Sequence, residues 1–475
     1  MKDARGGWLG VATMFVALGL AAPGRADVKL PKIFGDHMVL QQKARVAFWG
    51  WADAGEEVTV TLSGTSVTAK TGEDGKWQLH VATPDAGGPH EVVVKGKNEI
   101  KLADVLIGEV WICSGQSNME WPVAASTNAA EEAKNGDHPQ IRMIKVAHHP
   151  AEQPVPDING QWQVASPQTV PQFSAAGYFF ARHLQQELKV PVGMINTSWG
   201  GTICEAWTSR EALQTDPDFK PILDRAAQFK PGQPNQAAVL YNGMIHPIVP
   251  FGVRGAIWYQ GESNVSRAVQ YRKLFPAMIT DWRKRFGQGD FPFLFVQLAP
   301  FKYNHDPKLL AELWDAQLKT LGLPATGMAG TTDISDLKDI HPKNKQDVGK
   351  RLALWALAKT YGKTDLVHSG PLYDSLSVEG NKAKVKFQHV GGGLVARDGK
   401  PLTHFTIAGE DQQFVEATAT IEGDAVIVTS DKVAKPVAVR FGWDQLAEPN
   451  LANKEGLPAS PFRTDDWRLL TVDAK

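Results

Sequence analysis

Two serines three residues apart, Ser114 and Ser117, close the apolar run in "GEVWICSGQSNMEWPV", residues 108–123. A serine hydroxyl is a weak nucleophile until a histidine takes its proton, a carboxylate orients that histidine, and N–H donors meet the oxyanion. All of these residue types recur directly after other apolar runs, in "NTSWGGT" at 196–202, "WYQGESN" at 258–264 and "DISDLKDIHP" at 333–342. Chemistry in an open parallel sheet collects outside the carboxyl ends of its strands, so these segments are where a site would assemble.

Positioning them requires such a sheet, and the sequence supplies its parts. The apolar stretches "VLIGEVWIC", "IRMIKV", "VGMINTSW", "VRGAIWYQ", "FPFLFVQLA" and "GMAGTTDI" read as strands. Between or after them stand helical stretches "SAAGYFFARHLQQELK", "AVQYRKLFPAMITDWRKRFG", "PKLLAELWDAQLKTLG" and "NKQDVGKRLALWALAKTYG". Continuous apolar strands alternating with helices predict a parallel sheet covered on both faces, an α/β domain over residues 104–365. Ahead of it, period-two patterning in "EEVTVTLSG" and "HEVVVKG", with a hairpin signal at Asp74-Gly75, predicts an antiparallel β domain over residues 27–103. Short strands return over residues 366–475 in "KAKVKFQHV" and "PVAVRFGW". Residues 1–26, with Lys2 and Arg5 before an apolar stretch and a small-residue site at Gly24-Arg25-Ala26, read as a signal peptide. That implies a periplasmic or secreted protein with no membrane segment after cleavage. Export would permit a disulfide between Cys113 and Cys204, the alternative being two buried thiols that never meet.

Composition narrows the function further. Lysine plus arginine (50) nearly cancels aspartate plus glutamate (51), and without a basic run to track phosphates the chain is not expected to bind nucleic acid. Its 15 tryptophans suit either domain cores or the faces of sugar rings. His148-His149 and His246 raise the question of a metal, yet no H-E-x-x-H or Cys/His cluster accompanies them, so neither metal nor other cofactor is expected.

The G-x-S-x-G elbow of α/β-hydrolases is absent, because Gly115-Gln116-Ser117-Asn118-Met119 lacks the second glycine. That segment, with Gln260-Gly261-Glu262 and Asp339-Ile340-His341-Pro342, resembles the SGNH hydrolase superfamily and, more narrowly, the sialate O-acetylesterase family. "LYNGMIHPIVP" and "PNLANKEGLPASPFRTDDW", residues 449–467, extend the likeness over nearly the whole mature chain. The resemblance implies a flavodoxin-like SGNH esterase domain flanked by N- and C-terminal β-sandwich segments. It also implies metal-free removal of O-acetyl groups from acetylated mono- or oligosaccharides, with Ser117 as nucleophile and His341 as base. The backbone N–H of Ser117 is a natural oxyanion donor, and Gly200-Gly201 lets backbone approach the substrate closely. Where superfamily members carry Gly-x-Asn-Asp this chain has "YQGESN", so Gln260 is expected to supply the side-chain donor, with Asn264 second. Glu262 reads as a structural acceptor, since an anion there would oppose an oxyanion.

The carboxylate is less direct, because Lys338 stands where the superfamily's Asp-x-x-His would put the acid. Pro342 biases His341 toward extended backbone, in which residues two apart face the same side, so Asp339 is the expected partner. Asp336, Asp333 and a Ser-His dyad are the alternatives. The sugar stays open between sialate, where Arg210 or Arg254 could clamp a carboxylate, and acetylated xylan or another glycan. A secreted carbohydrate-binding protein is the non-enzyme alternative, and the sequence sets no oligomeric state.

Overall fold

A computed structural model of the chain describes residues 27–474 apart from 227, 229 and 231; the expected signal peptide lies outside the described residues. One strand organises the rest. Glu99–Gly115 begins with largely solvent-facing residues, and from Val105 onward every residue is buried. That change marks two environments along a single strand. Its first part pairs antiparallel with Gly87–Lys95, with Val92 opposite Leu102 and Val94 opposite Ile100. Its second part lies between parallel neighbours, where a strand covered on both faces reads as a continuous apolar run.

The boundary drawn near residue 103 therefore falls inside a continuous strand. The N-terminal strands also share their interior with the α/β part: Val58, Val60, Trp77 and Val92 belong to the same hydrophobic cluster as Trp111, Ile112 and Phe293. A second cluster, including Phe387, Phe441 and Phe462, holds the C-terminal β region. There Leu372–Glu379, Lys382–Gln388, Ala425–Thr429 and Thr418–Glu422 form one antiparallel sheet, and Val415–Glu416, Phe405–Ala408, Ala438–Phe441 and Phe462–Arg463 another. Phe462 joins them, with its ring stacked on Tyr373 at 5.0 Å and edge-on to Phe387 at 5.7 Å.

The central sheet runs Thr326–Ala329, Phe293–Val296, Gly255–Tyr259, Glu99–Gly115, Val192–Asn196, His138–Lys145, all parallel, with Trp162–Ala165 antiparallel at the edge. Beyond Glu99–Gly115 the chain first builds to one side and then, from Gly255–Tyr259, to the other. The carboxyl ends of the middle strands thus flank a switch in strand order, where connecting loops diverge and leave a crevice. Helices Ala175–Leu188 and Lys345–Lys359 pack as one pair, Ala268–Phe286 and Leu309–Thr320 as another. Ser174 caps the first by accepting from the Gly177 N–H at 3.0 Å, and Asn344 caps Lys345–Lys359 by accepting from the Asp347 N–H at 3.1 Å. Both cysteines are free and buried, so the disulfide that export would permit does not form; Cys204 Sγ sits 3.7 Å from Met278 Sδ.

Candidate functional site

The chain turns sharply after the central strand, and Gly115 makes the turn possible. Its φ is +134°, and a Cβ there would lie 2.2 Å from the Tyr259 carbonyl oxygen. Gln116 pins the turn to the neighbouring strand end, its N–H donating to Tyr259 O at 2.9 Å and its Oε1 accepting from the Gly261 N–H at 3.3 Å. Ser117 then opens the short helix Ser117–Glu120, whose first N–H groups have no acceptor within the helix. Ser114 is fully buried within the strand, which removes it as a rival.

Ser117 Oγ lies 2.9 Å from His341 Nε2. Asp339 Oδ1 lies 3.4 Å from the other ring nitrogen and also accepts the His341 backbone N–H at 2.9 Å. The other two acids are engaged elsewhere: Asp336 accepts from the Lys338 N–H at 2.9 Å, and Asp333 forms a two-pronged pair with Arg351 at 2.6 and 2.7 Å. Trp121 stacks on the His341 ring, centroids 4.7 Å apart. Burial, reinforced by the nearby Lys345 cation, lowers the His341 pKa below its ordinary value, and Asp339 only partly opposes this.

Behind the pair is a shell that the motifs do not announce. Lys345, fully buried, donates to Asn118 Oδ1 at 2.5 Å, while Asn118 Nδ2 donates to Glu262 Oε1 at 2.6 Å and to the Ile340 carbonyl at 3.0 Å. Burial brings the Lys345 ammonium down to about 7 against the pull of Glu262 and Asp339, and burial likewise pushes the Glu262 carboxyl up. Glu262 is thus an acceptor, as its position implies. Lys345 was not legible, because a lysine opening a helix is ordinarily solvated and nothing in "HPKNKQ" marks it as buried.

In front is a cleft of about 410 Å³ lined by Ser117, Glu120, Trp121, Lys145, Gln172 and His341. Glu120 organises its rim, with His148 Nε2 at 3.0 Å, Lys145 Nζ at 3.5 Å and the Gly200 N–H at 2.8 Å. Burial alone would raise its pKa, but the contacts from His148, Gly200 and Lys145 together lower it. His148 also stacks flat on Trp199 at 4.1 Å.

The expected oxyanion donors divide. Gly200 runs against the nucleophile turn, since a Cβ on it would lie 3.2 Å from Ser117 Cβ, and Gly201 follows with φ +74°. Gln260 is a correction. Fully buried, it donates through Nε2 to Thr202 O at 3.1 Å and to Asn264 Oδ1 at 2.7 Å, and its Oε1 accepts from Tyr271 at 3.1 Å. Asn264 is no substitute, because its own amide donates to Glu205 at 2.8 Å. Both amides brace the loop beneath the site. Nor does either arginine reach the cleft by an observed contact: Arg254 pairs with Glu109 at 2.7 Å, six residues before Gly115, and Arg210 is exposed on the short helix Arg210–Leu213.

Residues 107–358 match the family model described as carbohydrate esterase, sialic acid-specific acetylesterase. Sialate O-acetylesterases of Homo sapiens and Pongo abelii are each 30% identical over 474 aligned residues, covering 90% of this chain and 90% of theirs. A carbohydrate acetylesterase from Xanthomonas citri has a crystal structure that superposes with a TM-score of 0.86 at 42% identity, covering 93% of this chain and 100% of its own.

If Gln260 braces the loop, Gln260→Ala removes three buried hydrogen bonds and leaves the Thr202 carbonyl unpaired, while Asn264 Oδ1 keeps the Cys204 N–H and Tyr271 keeps the residue 260 carbonyl, so chemical denaturation should register a loss of about 1–3 kcal/mol. The folded variant should still react with a fluorophosphonate within about tenfold of the parent rate, whereas loss of an oxyanion donor would cost roughly a hundredfold or more.

Proposed function

Because the chain belongs to the sialic acid-specific acetylesterase family of carbohydrate esterases and is a carboxylic ester hydrolase, we propose that it cleaves sugar O-acetyl groups by Ser117-His341-Asp339 catalysis through an acyl-enzyme. The observation that carries this reading is the 2.9 Å contact between Ser117 Oγ and His341 Nε2 at the mouth of the cleft. A flavodoxin-like SGNH fold is part of the proposal. With the His138–Lys145 and Trp162–Ala165 edge strands set aside, the order 2-1-3-4-5 supports it. Export to the periplasm or beyond is proposed on the leader-like residues 1–26 alone.

His341 Nε2 takes the Ser117 proton as Oγ attacks the acetyl carbonyl carbon. Negative charge moves onto the carbonyl oxygen, where the Ser117 N–H and the Gly201 N–H supply donors, the turn being fixed by Glu120, which holds the Gly200 N–H. His341 then returns the proton to the departing sugar hydroxyl, leaving acetyl on Ser117. Water activated by the same imidazole attacks the acetyl-serine, and acetate leaves as Oγ regains its proton. Asp339 holds the ring tautomer and steadies the imidazolium. Lys145 on the rim is the one cation lining the cleft among the described residues, so it is where a sialate carboxylate would pair in competition with Glu120. Acetate release from acetylated sialosides against acetylated xylo-oligosaccharides decides between anionic and neutral sugars.

Ser117→Ala should lower turnover of an aryl acetate by at least about a thousandfold with the fold intact. Mass spectrometry should find the fluorophosphonate adduct on Ser117; an adduct on another serine, or none on active enzyme, would sink the proposal. Asp339→Asn should cost about a hundredfold in turnover without loss of thermal stability, and a near-parental rate would leave a dyad. His341 must be neutral to act as base, so activity should fall only as pH drops through a midpoint below about 6.5. Lys345 is protonated over that range and opposes the imidazolium. Lys345→Met should therefore move the midpoint of the acid limb upward, and a kcat/KM profile with an unmoved limb would contradict this.

A further inference from the structure

Apart from the serine cleft, a second cleft of about 370 Å³ is lined in part by Trp49, Trp51, Gln78, Pro154, Pro156 and Pro247. Its floor is the ribbon formed by Arg45–Trp51 and Lys76–Ala82, where Trp49 stands opposite Gln78 and Trp51 opposite Lys76. Alternate residues of a strand share a face, so both indoles and the Gln78 amide present to the same side, with Trp49 and Trp51 about 7 Å apart along the strand. Both tryptophans are half-buried, and Phe34 braces Trp49 edge-on at 4.7 Å. A sugar ring has an apolar face that lies on an indole and a rim of hydroxyls that needs amide or amine partners, the combination offered here.

The opposite wall connects this cleft to the serine. The loop after His138–Lys145 carries His148, which touches Glu120 on the serine cleft, and six residues later Pro154, which lines the tryptophan cleft. Six residues span at most about 20 Å of chain. The segment "LYNGMIHPIVP", which the hydrolytic machinery does not use, fixes that loop. Asn242 Nδ2 donates to the Ala151 and Glu152 carbonyls at 3.1 and 3.0 Å, and the Val155 N–H donates to Asn242 O at 3.1 Å. Gly243 passes so close that a Cβ would lie 1.7 Å from His149 O. His246 and Pro247 of the same segment line the tryptophan cleft itself.

We propose that the Trp49/Trp51 cleft is an accessory subsite for the neutral oligosaccharide chain of the substrate, held at a fixed distance from Ser117 by the loop that borders both clefts. This rests on the carbohydrate esterase reading above.

The test titrates full-length enzyme with deacetylated xylohexaose, cellohexaose and sialyllactose, following tryptophan fluorescence and calorimetric heat. At least one neutral hexaose should bind saturably, and Trp51→Ala should weaken it about tenfold while Trp51→Phe retains most of the affinity. Hydrolysis of a small aryl acetate should stay within twofold of the parent in both variants, whereas KM for an acetylated polysaccharide should rise in Trp51→Ala. No saturable binding, binding indifferent to Trp51→Ala in a variant that melts normally, or preference for anionic sialyllactose would each overturn the proposal. Failure of the esterase reading is separately visible, as loss of Ser117 labelling in enzyme that still binds the hexaose.

Discussion

The side chain of Asn118 ties together strand ends that are far apart in the chain. It follows the nucleophile turn directly, donates to Glu262 after the Gly255–Tyr259 strand and to Ile340 beside His341, and accepts from Lys345 at the start of the last helix of the α/β part. A loop of the kind that carries His341 has many conformations of its own, and only a few put Nε2 within reach of Ser117 Oγ. Anchoring the carbonyl of Ile340, one residue before the imidazole, removes most of that freedom. Charged partners on both sides of the amide strengthen its hydrogen bonds relative to neutral ones. The arrangement works only because its members are buried together, where water does not compete for the same donors and acceptors.

The sheet makes that tether short enough. Tyr259 pairs in register with Gly115, so the Gln116 and Gly261 turns leave adjacent strands at the same level. Asn196 pairs with Cys113 on the other side, two residues lower, which leaves the Thr197–Gly201 stretch room to rise and pass against Ser117. The conformation of Gly115 and its contact with the Tyr259 carbonyl convert this register into a direction for the serine. A one-residue slip of either neighbour would reverse which side chains face the crevice.

The sequence discloses what depends on local pattern. Continuous apolar runs mark the buried strands and helical spacing marks the main helices, whereas Asp339 meets His341 through a bend in which its carboxylate accepts the His341 N–H, not through the extended backbone that Pro342 predicts. It does not disclose what depends on distant partners. Gln260 has the donor chemistry that an oxyanion requires, yet its orientation is decided by Thr202, 58 residues away, and by Tyr271 from the following helix. Lys345 is invisible for a related reason: its burial follows from packing beside Tyr259 and Trp121, with its Nζ 5.2 and 5.8 Å from their ring centres. The boundary near residue 103 misleads because a change from alternating to continuous apolar pattern signals a change of surroundings, and here the same strand passes through both.

Charge placement around His341 then explains why a costly buried lysine is compatible with the base proposed for this site. Asp339 lies at one ring nitrogen on the solvent side, while Lys345 lies in the interior. A proton arriving on Nε2 meets stabilisation from Asp339 and opposition from burial and from Lys345, so the imidazolium is held weakly. Weak holding suits the proposed role, in which the ring accepts a proton from serine and releases it to a sugar hydroxyl in successive steps. The Glu262 charge favours the protonated form of Lys345 against the effect of burial. In the proposed mechanism the buried pair would act through the proton affinity of His341, with Asn118 bridging Lys345 and Glu262.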